Sequence, residues 1–277
     1  MEILVARSAG YCMGVRRAME IGLETAQAEG RTVYTYGPLI HNPQALEELR
    51  QNSVFPLSET EPIPRAPVII RAHGVSPEVR LRLEREAEKL VDATCPKVAT
   101  IQRRIRDYTE RGYTAVIAGD PDHPEVVGLR GYARGDAYVV STPAEVDALP
   151  GLGRVVLVAQ TTQDEEIFEE IRAHLLARFP QGEALDTICE STHRRQSEVR
   201  ELARKVDGLV VIGGKNSANT RRLAAIAGLL GVTAYHVETP GELPLEKLAK
   251  LPRVGITAGA STPSWIIEEV VQVLSSL

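Results

Sequence analysis

Residues 115–125 read Ala-Val-Ile-Ala-Gly-Asp-Pro-Asp-His-Pro-Glu, an apolar run followed by a polar loop. The apolar run, residues 115–118, has the length and β-branched content of a buried strand, and Gly119 ends it. The polar loop that follows carries His123 and Glu125. Segments of this kind, each a strand followed by a polar loop, alternate with amphipathic helical stretches along the chain. They predict an α/β fold whose functional residues gather beyond the carboxyl ends of parallel strands.

The same arrangement of a strand, a glycine and a polar loop occurs twice more in the chain. Residues 32–36 run into Gly37, and residues 209–212 run into Gly213. A cysteine precedes each polar loop by 28 or 29 residues, in the pairs Cys12 and His41, Cys95 and His123, and Cys189 and Ser217. A fixed period of this kind indicates an internal repeat.

Each cysteine also opens a similar series of elements. A helical stretch follows it, and the expected helix stops are Gly30, Gly112 and a point near Gly208. A second strand in each repeat ends in polar residues, which are Ala72-His73-Gly74, Gln160-Thr161-Thr162 and Ala258-Gly259-Ala260-Ser261. The pattern predicts three similar small α/β lobes with mostly parallel sheets, arranged pseudo-threefold around a central cluster. Their expected boundaries are 13–95, 96–189, and 190–277 completed by the N-terminal strand 1–12.

Composition narrows the function classes. Hydrophobic residues make up 43% of the chain, as in an ordinary globular protein, and the net charge of -5 argues against a nucleic-acid partner. No apolar run reaches the roughly 18 residues of a membrane span, and no basic leader opens the sequence, so we expect a cytoplasmic protein without membrane contact. Its partners are expected to be small molecules or proteins.

The three cysteines Cys12, Cys95 and Cys189 cannot all pair, so a disulfide framework is disfavoured. Composition alone allows three inert buried thiols, but their equal position in the repeat indicates one shared centre. Three thiolates suit either zinc or an iron–sulfur cluster, and the absence of a C-x-x-C pair favours the second. A [4Fe–4S] cluster held by three cysteines leaves one iron open as a Lewis acid for a substrate oxygen.

The polar loops indicate an anionic substrate such as a diphosphate. Hydrogen-bond donors suited to a multiply charged anion are His41, His73, His123, Ser217, Asn219 and Ser261. Glu125 is the only carboxylate in the polar loops that the repeat matches, and it is a candidate proton donor. His174 and His236 lie outside the repeating loops, and we expect structural roles for them.

At these residues the chain resembles the 4-hydroxy-3-methylbut-2-enyl diphosphate reductase family of the non-mevalonate isoprenoid pathway. The resemblance spans nearly the whole chain. Its motifs read Gly10-Tyr11-Cys12-Met13-Gly14-Val15, His41-Asn42, Ala72-His73-Gly74-Val75, Ala93-Thr94-Cys95-Pro96, His123-Pro124-Glu125-Val126, Gln160-Thr161-Thr162, Lys215-Asn216-Ser217 and Thr257-Ala258-Gly259-Ala260-Ser261.

The resemblance implies reductive removal of an allylic hydroxyl with two electrons and two protons, giving isopentenyl and dimethylallyl diphosphates. It implies that Glu125 delivers a proton, that Thr161 relays it near the substrate hydroxyl, and that ferredoxin or flavodoxin supplies the electrons. The implied ligands of one [4Fe–4S] cluster are Cys12, Cys95 and Cys189. The implied residues that hold the diphosphate are His41, His73, His123, Ser217, Asn219 and Ser261.

Two positions depart from the family pattern, because Gly214 and Ala218 stand where many relatives have serine. Ala218 could therefore contact phosphate only through its backbone N–H. Three other functions stay open from the sequence: a cluster-dependent dehydratase, which needs no reductant, a non-catalytic iron–sulfur redox sensor, and a zinc protein.

Overall fold

The computed structural model describes every residue from Met1 to Leu277. The chain divides into two compact units. The terminal unit comprises residues 1–16, 40–51 and 190–277, and the central unit comprises residues 17–39 and 52–189. None of the helices combines the length and the apolar character that crossing a membrane would require.

All the strands pair in parallel with their neighbours. They are β1 (Glu2–Val5), β2 (Val33–Tyr36), β3 (Val54–Leu57), β4 (Pro67–Ile70), β5 (Lys89–Asp92), β6 (Thr114–Ala118), β7 (Ala137–Val140), β8 (Val155–Ala159), β9 (Glu183–Ala184), β10 (Gly208–Ile212), β11 (Thr233–Val237) and β12 (Arg253–Ala258).

Helices connect nearly all consecutive strands, as parallel pairing of neighbours requires, whereas β3 and β4, which both pair with β2, are joined by residues 58–66 without a helix. The helices are α1 (Met13–Glu29), α2 (Pro43–Gln51), α3 (Pro77–Glu86), α4 (Pro96–Glu110), α5 (Pro124–Arg130), α6 (Pro143–Asp147), α7 (Glu165–Arg178), α8 (Glu190–Ala203), α9 (Ala218–Leu229), α10 (Leu245–Leu248) and α11 (Ser264–Ser275).

The central unit contains two four-stranded sheets, with strand orders β3-β2-β4-β5 and β7-β6-β8-β9. In the second sheet Ala118 pairs with Ala159, which is the last residue of each strand. Because parallel neighbours end at the same edge of a sheet, the loops after β6 and β8 begin side by side. These loops carry Glu125 and Thr161.

The terminal unit contains the third sheet, with strand order β1-β12-β10-β11. Its N-terminal strand β1 pairs with β12, where Ile3 lies opposite Val254. Three four-stranded parallel sheets with helices confirm the predicted α/β class. The predicted lobe boundaries, 13–95, 96–189 and 190–277 with 1–12, stay a prediction.

The middle strands are almost entirely buried, because helices cover both faces of a parallel sheet. Every residue of β8 and of β10 is buried. Leu157 of β8 belongs to the same core cluster as Phe168 and Ile171 of α7. Each such side chain contributes roughly 1.5–3 kcal/mol when fully buried. The strand ends that position the polar loops therefore stand on a rigid core.

One expected helix stop was wrong. The helix after Cys189 ends at Ala203, and Gly208 is the first residue of strand β10. A Cβ at Gly208 would lie 2.5 Å from Cδ1 of Leu251, so the glycine allows close packing inside the unit. Gly30 and Gly112, in contrast, follow their helices with φ of 61° and 82°, the left-handed conformation expected of a helix stop.

Candidate active site

Each predicted cysteine ligand stands directly before a helix. Cys12, Cys95 and Cys189 immediately precede α1, α4 and α8, and all three are partly buried cysteines outside any disulfide. The sulfur of Cys12 accepts a hydrogen bond from the backbone N–H of Val15 at 3.5 Å. The backbone N–H groups at a helix N-terminus can donate hydrogen bonds to a metal-bound sulfur.

The backbone of each cysteine is bonded to a loop that carries predicted site residues. In all three cases the loop follows the second strand of the corresponding repeat, so the three cysteines have equivalent backbone surroundings. The bonds run from the cysteine N–H to a carbonyl oxygen and join Cys95 to Ala72 at 2.9 Å, Cys189 to Thr161 at 2.9 Å, and Cys12 to Ala260 at 3.0 Å.

The predicted proton donor Glu125 is buried, with 2% of its surface exposed, and it is held by Thr161. The backbone N–H of Thr161 donates to Oε1 of Glu125 at 2.6 Å, and the Thr161 hydroxyl donates to Oε2 at 2.6 Å. Two bonds to separate oxygens fix the plane of the carboxylate. This rigid arrangement suits proton transfer, because a catalytic acid must lie within hydrogen-bond reach of the group it serves.

Two of the predicted anion-binding histidines contact each other in the central unit. The rings of His73 and His123 meet edge to face, with centroids 5.2 Å apart and planes at 87°. His123 caps helix α5, because its Nδ1 accepts a bond from the backbone N–H of Glu125 at 3.2 Å. The proton of the neutral imidazole therefore lies on Nε2, which makes that nitrogen a hydrogen-bond donor.

The terminal unit gathers the loops of His41, Ser217 and Ser261. The Ser261 hydroxyl donates to the carbonyl oxygen of His41 at 3.1 Å. The backbone of Gly214 also approaches His41 closely, since an added Cβ would lie 2.6 Å from the same carbonyl oxygen. Gly214 in turn accepts a bond from the N–H of Ser217 at 2.9 Å. The glycine at this departure from the family pattern is thus required by the close approach.

Helix α9 begins at this loop with polar groups suited to an anion. Ser217 is its N-cap, and the hydroxyl oxygen accepts a bond from the N–H of Thr220 at 3.4 Å. Asn219 is only 4% exposed, and its amide nitrogen has no hydrogen-bond partner within the protein. A buried amide donor without a partner is costly unless a ligand or water satisfies it. The helix N-terminus adds a positive potential at the same place.

Tyr11, directly before the first cysteine, is a buried phenol in the terminal unit. Burial raises the pKa of Tyr11, and the carboxylate of Glu48 raises that pKa further. The phenol therefore keeps its proton throughout the physiological pH range. Its hydroxyl has no hydrogen-bond partner within the protein.

The sequence did not identify the role of Gln160, which is fully buried in the central unit. Its Oε1 accepts a bond from the N–H of Asp120 at 2.9 Å, and its Nε2 donates to the Thr162 hydroxyl at 3.0 Å. Gln160 thereby joins the loop after β6 to the loop after β8. The only sequence signal was its place in the Gln160-Thr161-Thr162 motif.

Two charged residues of α8 that the sequence did not single out hold the segment before Cys12. Glu198 accepts bonds from both the N–H and the hydroxyl of Ser8, at 2.9 and 2.5 Å. Arg195, which is 2% exposed, donates to the carbonyl oxygen of Gly10 at 2.6 Å. In the sequence these two side chains could not be distinguished from an ordinary solvated helix face.

The structure thus brings the predicted residues together in two groups. Within the central unit, side-chain or backbone contacts join Cys189, Thr161, Glu125, His123 and His73. Cys95 is bonded through its N–H to Ala72, the residue before His73. Within the terminal unit, contacts join the loops that carry Cys12, His41, Ser217, Asn219 and Ser261. Convergence of all three cysteines on one point stays a prediction.

Parallel α/β sheets whose loops carry three cysteines, three histidines and a buried acid are typical of a metal-dependent enzyme. The family model described as "LytB protein" matches residues 3–275, and the chain belongs to this family. Two relatives named 4-hydroxy-3-methylbut-2-enyl diphosphate reductase come from Geobacter sulfurreducens and Aquifex aeolicus. They are 45% and 42% identical over 273 residues, which covers 98% of this chain and 96% and 94% of theirs.

Solved structures give the same result. A structure described as (E)-4-hydroxy-3-methyl-but-2-enyl diphosphate reductase, the terminal enzyme of the non-mevalonate pathway, is 41% identical with a TM-score of 0.72 and covers 100% of both chains. The structure of the corresponding reductase from Plasmodium falciparum is 26% identical with a TM-score of 0.94, and the match covers 99% of this chain and 88% of that one. The predicted family is therefore confirmed.

Proposed function

We propose that this chain is a 4-hydroxy-3-methylbut-2-enyl diphosphate reductase. It removes the allylic hydroxyl of (E)-4-hydroxy-3-methylbut-2-enyl diphosphate and yields isopentenyl and dimethylallyl diphosphates. The C–O bond breaks, two electrons enter, one proton leaves with the hydroxyl as water, and a second proton is added to an allylic carbon. The full-length identity to relatives that carry this name supports the assignment.

The observation that carries the proposal is the hydrogen-bonded series from Cys189 through Thr161 to Glu125. The N–H of Cys189 donates to the carbonyl of Thr161, and Thr161 donates to both oxygens of Glu125. One loop therefore connects a candidate metal ligand to a buried acid. A proton donor in a fixed position next to a metal ligand is what a reductive dehydroxylation needs.

The donor set fits an iron–sulfur cluster. The chain has three cysteines in all, each at a helix start and outside any disulfide, and each with the same type of backbone bond to a neighbouring loop. We assign Cys12, Cys95 and Cys189 as the ligands of one [4Fe–4S] cluster. When bound, such a cluster would supply the electrons and an iron without a cysteine ligand as a Lewis acid.

The chain's own residues deliver the first proton. Glu125, when protonated, gives its proton to the Thr161 hydroxyl through the 2.6 Å contact between them. Thr161 passes its own proton to the hydroxyl of the substrate, which leaves as water. His123 orients this pair, because its ring accepts the N–H of Glu125. Burial of Glu125 and Thr161 excludes water that would compete for the proton.

The remaining donors bind the diphosphate. We assign Ser217, Asn219 and the start of α9 to this role, because a buried amide donor and a helix N-terminus are both suited to a phosphate group. Nε2 of His123 is a further donor. The other members of the set are His41, His73, Thr161 and Ser261.

The electrons come from a separate protein, which we propose to be a ferredoxin or flavodoxin. Three cysteines that bind an iron–sulfur cluster must stay reduced, as thiols do in the cytoplasm. We therefore place the enzyme in the cytoplasm.

The test is an anaerobic assay of the protein after reconstitution with iron and sulfide. The substrate is supplied with and without a chemically reduced donor, and the products and the oxidised donor are counted. We expect about two electrons consumed per hydroxyl removed, as the reaction balance requires. Loss of the hydroxyl without a reductant would identify a dehydratase, iron-loaded protein without turnover would identify a sensor, and a colourless preparation that binds zinc alone would exclude the cluster.

A further inference from the structure

The loop that leads to Ser217 is contacted by a histidine of the neighbouring strand. His236 lies on β11, and its Nε2 is 2.8 Å from the carbonyl oxygen of Gly213. A carbonyl oxygen can only accept, so the imidazole Nε2 donates this bond. The ring therefore fixes the direction of the peptide that turns the chain from β10 into the loop.

A second contact follows two residues later. Oε1 of Glu238 accepts a bond from the backbone N–H of Lys215 at 2.7 Å. The ammonium of Lys215 also pairs with Glu242 at 2.7 Å, but the two side chains are 56% and 34% exposed. Such an exposed pair contributes little. We call His236 and Glu238 the outer clasp, since these two side chains hold main-chain atoms of the loop.

The loop begins with two glycines, and its first residue is also bonded through the backbone, since the N–H of Gly213 donates to the carbonyl oxygen of Val237 at 2.9 Å. Gly213 has φ of 145°, and a Cβ there would lie 2.6 Å from Oγ1 of Thr262. A Cβ at Gly214 would lie 2.6 Å from the carbonyl oxygen of His41. Both residues must therefore be glycine, and glycine has no side chain with which to anchor a turn. Side-chain contacts to this part of the main chain therefore come from the outer clasp, through His236 at Gly213 and Glu238 at Lys215.

We propose that His236 and Glu238 are positioning residues of the diphosphate-binding loop. They set the main chain at Gly213 and Lys215 and thereby the places of Ser217 and Asn219, which follow two and four residues after Lys215. The inference rests on the proposed function, in which Ser217 and Asn219 bind the diphosphate. From the sequence alone, only a structural role is expected for His236.

The experiment compares two pairs of variants in the iron-reconstituted enzyme. His236→Leu and Glu238→Ala remove a contact, whereas His236→Gln keeps a donor and Glu238→Gln keeps an acceptor. We expect each removal to raise KM about fivefold to tenfold with kcat changed by less than about twofold, because a loosened loop weakens binding and leaves Glu125 and Thr161 in place. Each conservative variant should restore most of the affinity.

His174→Leu serves as the matched control. His174 contacts the carbonyl oxygen of Glu170 at 3.0 Å on the exposed face of α7, outside all the candidate loops, so its removal should leave KM unchanged. Calorimetric binding of inorganic diphosphate to the same variants gives a readout that needs no turnover. If the wild type binds inorganic diphosphate but does not convert the allylic substrate, the proposed function fails. The diphosphate affinities of the variants then still test the outer clasp.

Unchanged affinity in both His236→Leu and Glu238→Ala would overturn the proposal. Equal losses in the conservative and the removing variants would overturn it as well, and so would a rise in KM matched by an equal fall in kcat. Should His236→Leu fail to fold, the Glu238 pair and His236→Gln decide the question on their own.

Discussion

The two compact units hold their candidate site residues in different ways. In the central unit the acid Glu125 is fully engaged, since Thr161 donates to both of its oxygens. In the terminal unit the buried amide nitrogen of Asn219 has no partner within the protein. The first arrangement is preorganised for a chemical step, and the second leaves a donor for a ligand. In the proposed function the first arrangement serves proton transfer by Glu125 and Thr161, and the second serves diphosphate binding by Asn219.

The largest effect should come from the engaged acid. Glu125→Gln keeps the size of the side chain but cannot supply the proton, so we expect kcat to fall about 10²- to 10⁴-fold. Cluster content and binding of the substrate without reductant should persist. Steady-state kinetics and metal analysis measure these quantities.

Glu169→Gln is the matched control for the acid. Glu169 lies on α7 and pairs with Arg172, with about half of its side chain exposed. Normal turnover is expected in that variant. If Glu125→Gln kept full activity, Glu125 would not be the proton donor, and the proposed difference in role between Glu125 and Asn219 would be wrong.

The hydroxyl of Thr161 should matter next. Thr161→Val keeps the backbone bond to Glu125 but removes the hydroxyl bond, so we expect kcat to fall roughly 10- to 100-fold, in line with hydrogen bonds to charged groups. Thr161→Ser keeps the hydroxyl and should recover most of the rate. Equal rates for the valine and serine variants would show that the hydroxyl carries no proton.

Replacing Asn219, whose amide nitrogen has no partner within the protein, should change KM and not kcat, and by less than the effects above on kcat. Asn219→Leu removes a buried donor that has no partner within the protein, so we expect the thermal midpoint to stay the same or rise. KM for the diphosphate substrate should nevertheless rise about tenfold, as for the loss of one good contact to a charged group. A lowered midpoint together with an unchanged KM would show that Asn219 serves the fold alone.

The smallest effect concerns the close approach of the loop to His41. A Cβ in Gly214→Ala would lie 2.6 Å from the carbonyl oxygen of His41, so the backbone must shift. We expect a destabilisation of about 1–3 kcal/mol and a rise in KM of a few-fold. Gly151→Ala is the control, since a Cβ there meets nothing within 4 Å. Equal denaturation midpoints for the two variants would contradict the close approach.

Much of the fold could be predicted because strands, glycines and polar loops recur at a constant spacing. Residues 115–118 were predicted as a strand, and β6 spans Thr114–Ala118. Gly208 was wrongly predicted as a helix stop, because this glycine allows a tertiary contact with Leu251 that the local sequence does not show. Local sequence shows that a glycine is present, but it does not show whether the glycine ends a helix or allows another side chain to approach.

The residue types of the site were predictable, but their contacts were not. The pairing of Glu125 with Thr161 depends on the register of β6 and β8, where Ala118 lies opposite Ala159. The role of His236 depends on the direction of its ring toward Gly213. Both depend on chain segments that are distant in the sequence, and no single stretch of residues contains that information.

In the proposed function Glu125 supplies the proton and Asn219 binds the diphosphate. The most direct test is the single-turnover rate of the prereduced enzyme, measured against substrate concentration for Glu125→Gln and Asn219→Leu. We predict that Glu125→Gln saturates at a concentration within about threefold of the wild type but at a rate at least about 100-fold lower. Asn219→Leu should reach nearly the wild-type rate at about tenfold higher concentration. If both variants changed rate and saturation together, the division of roles would be wrong.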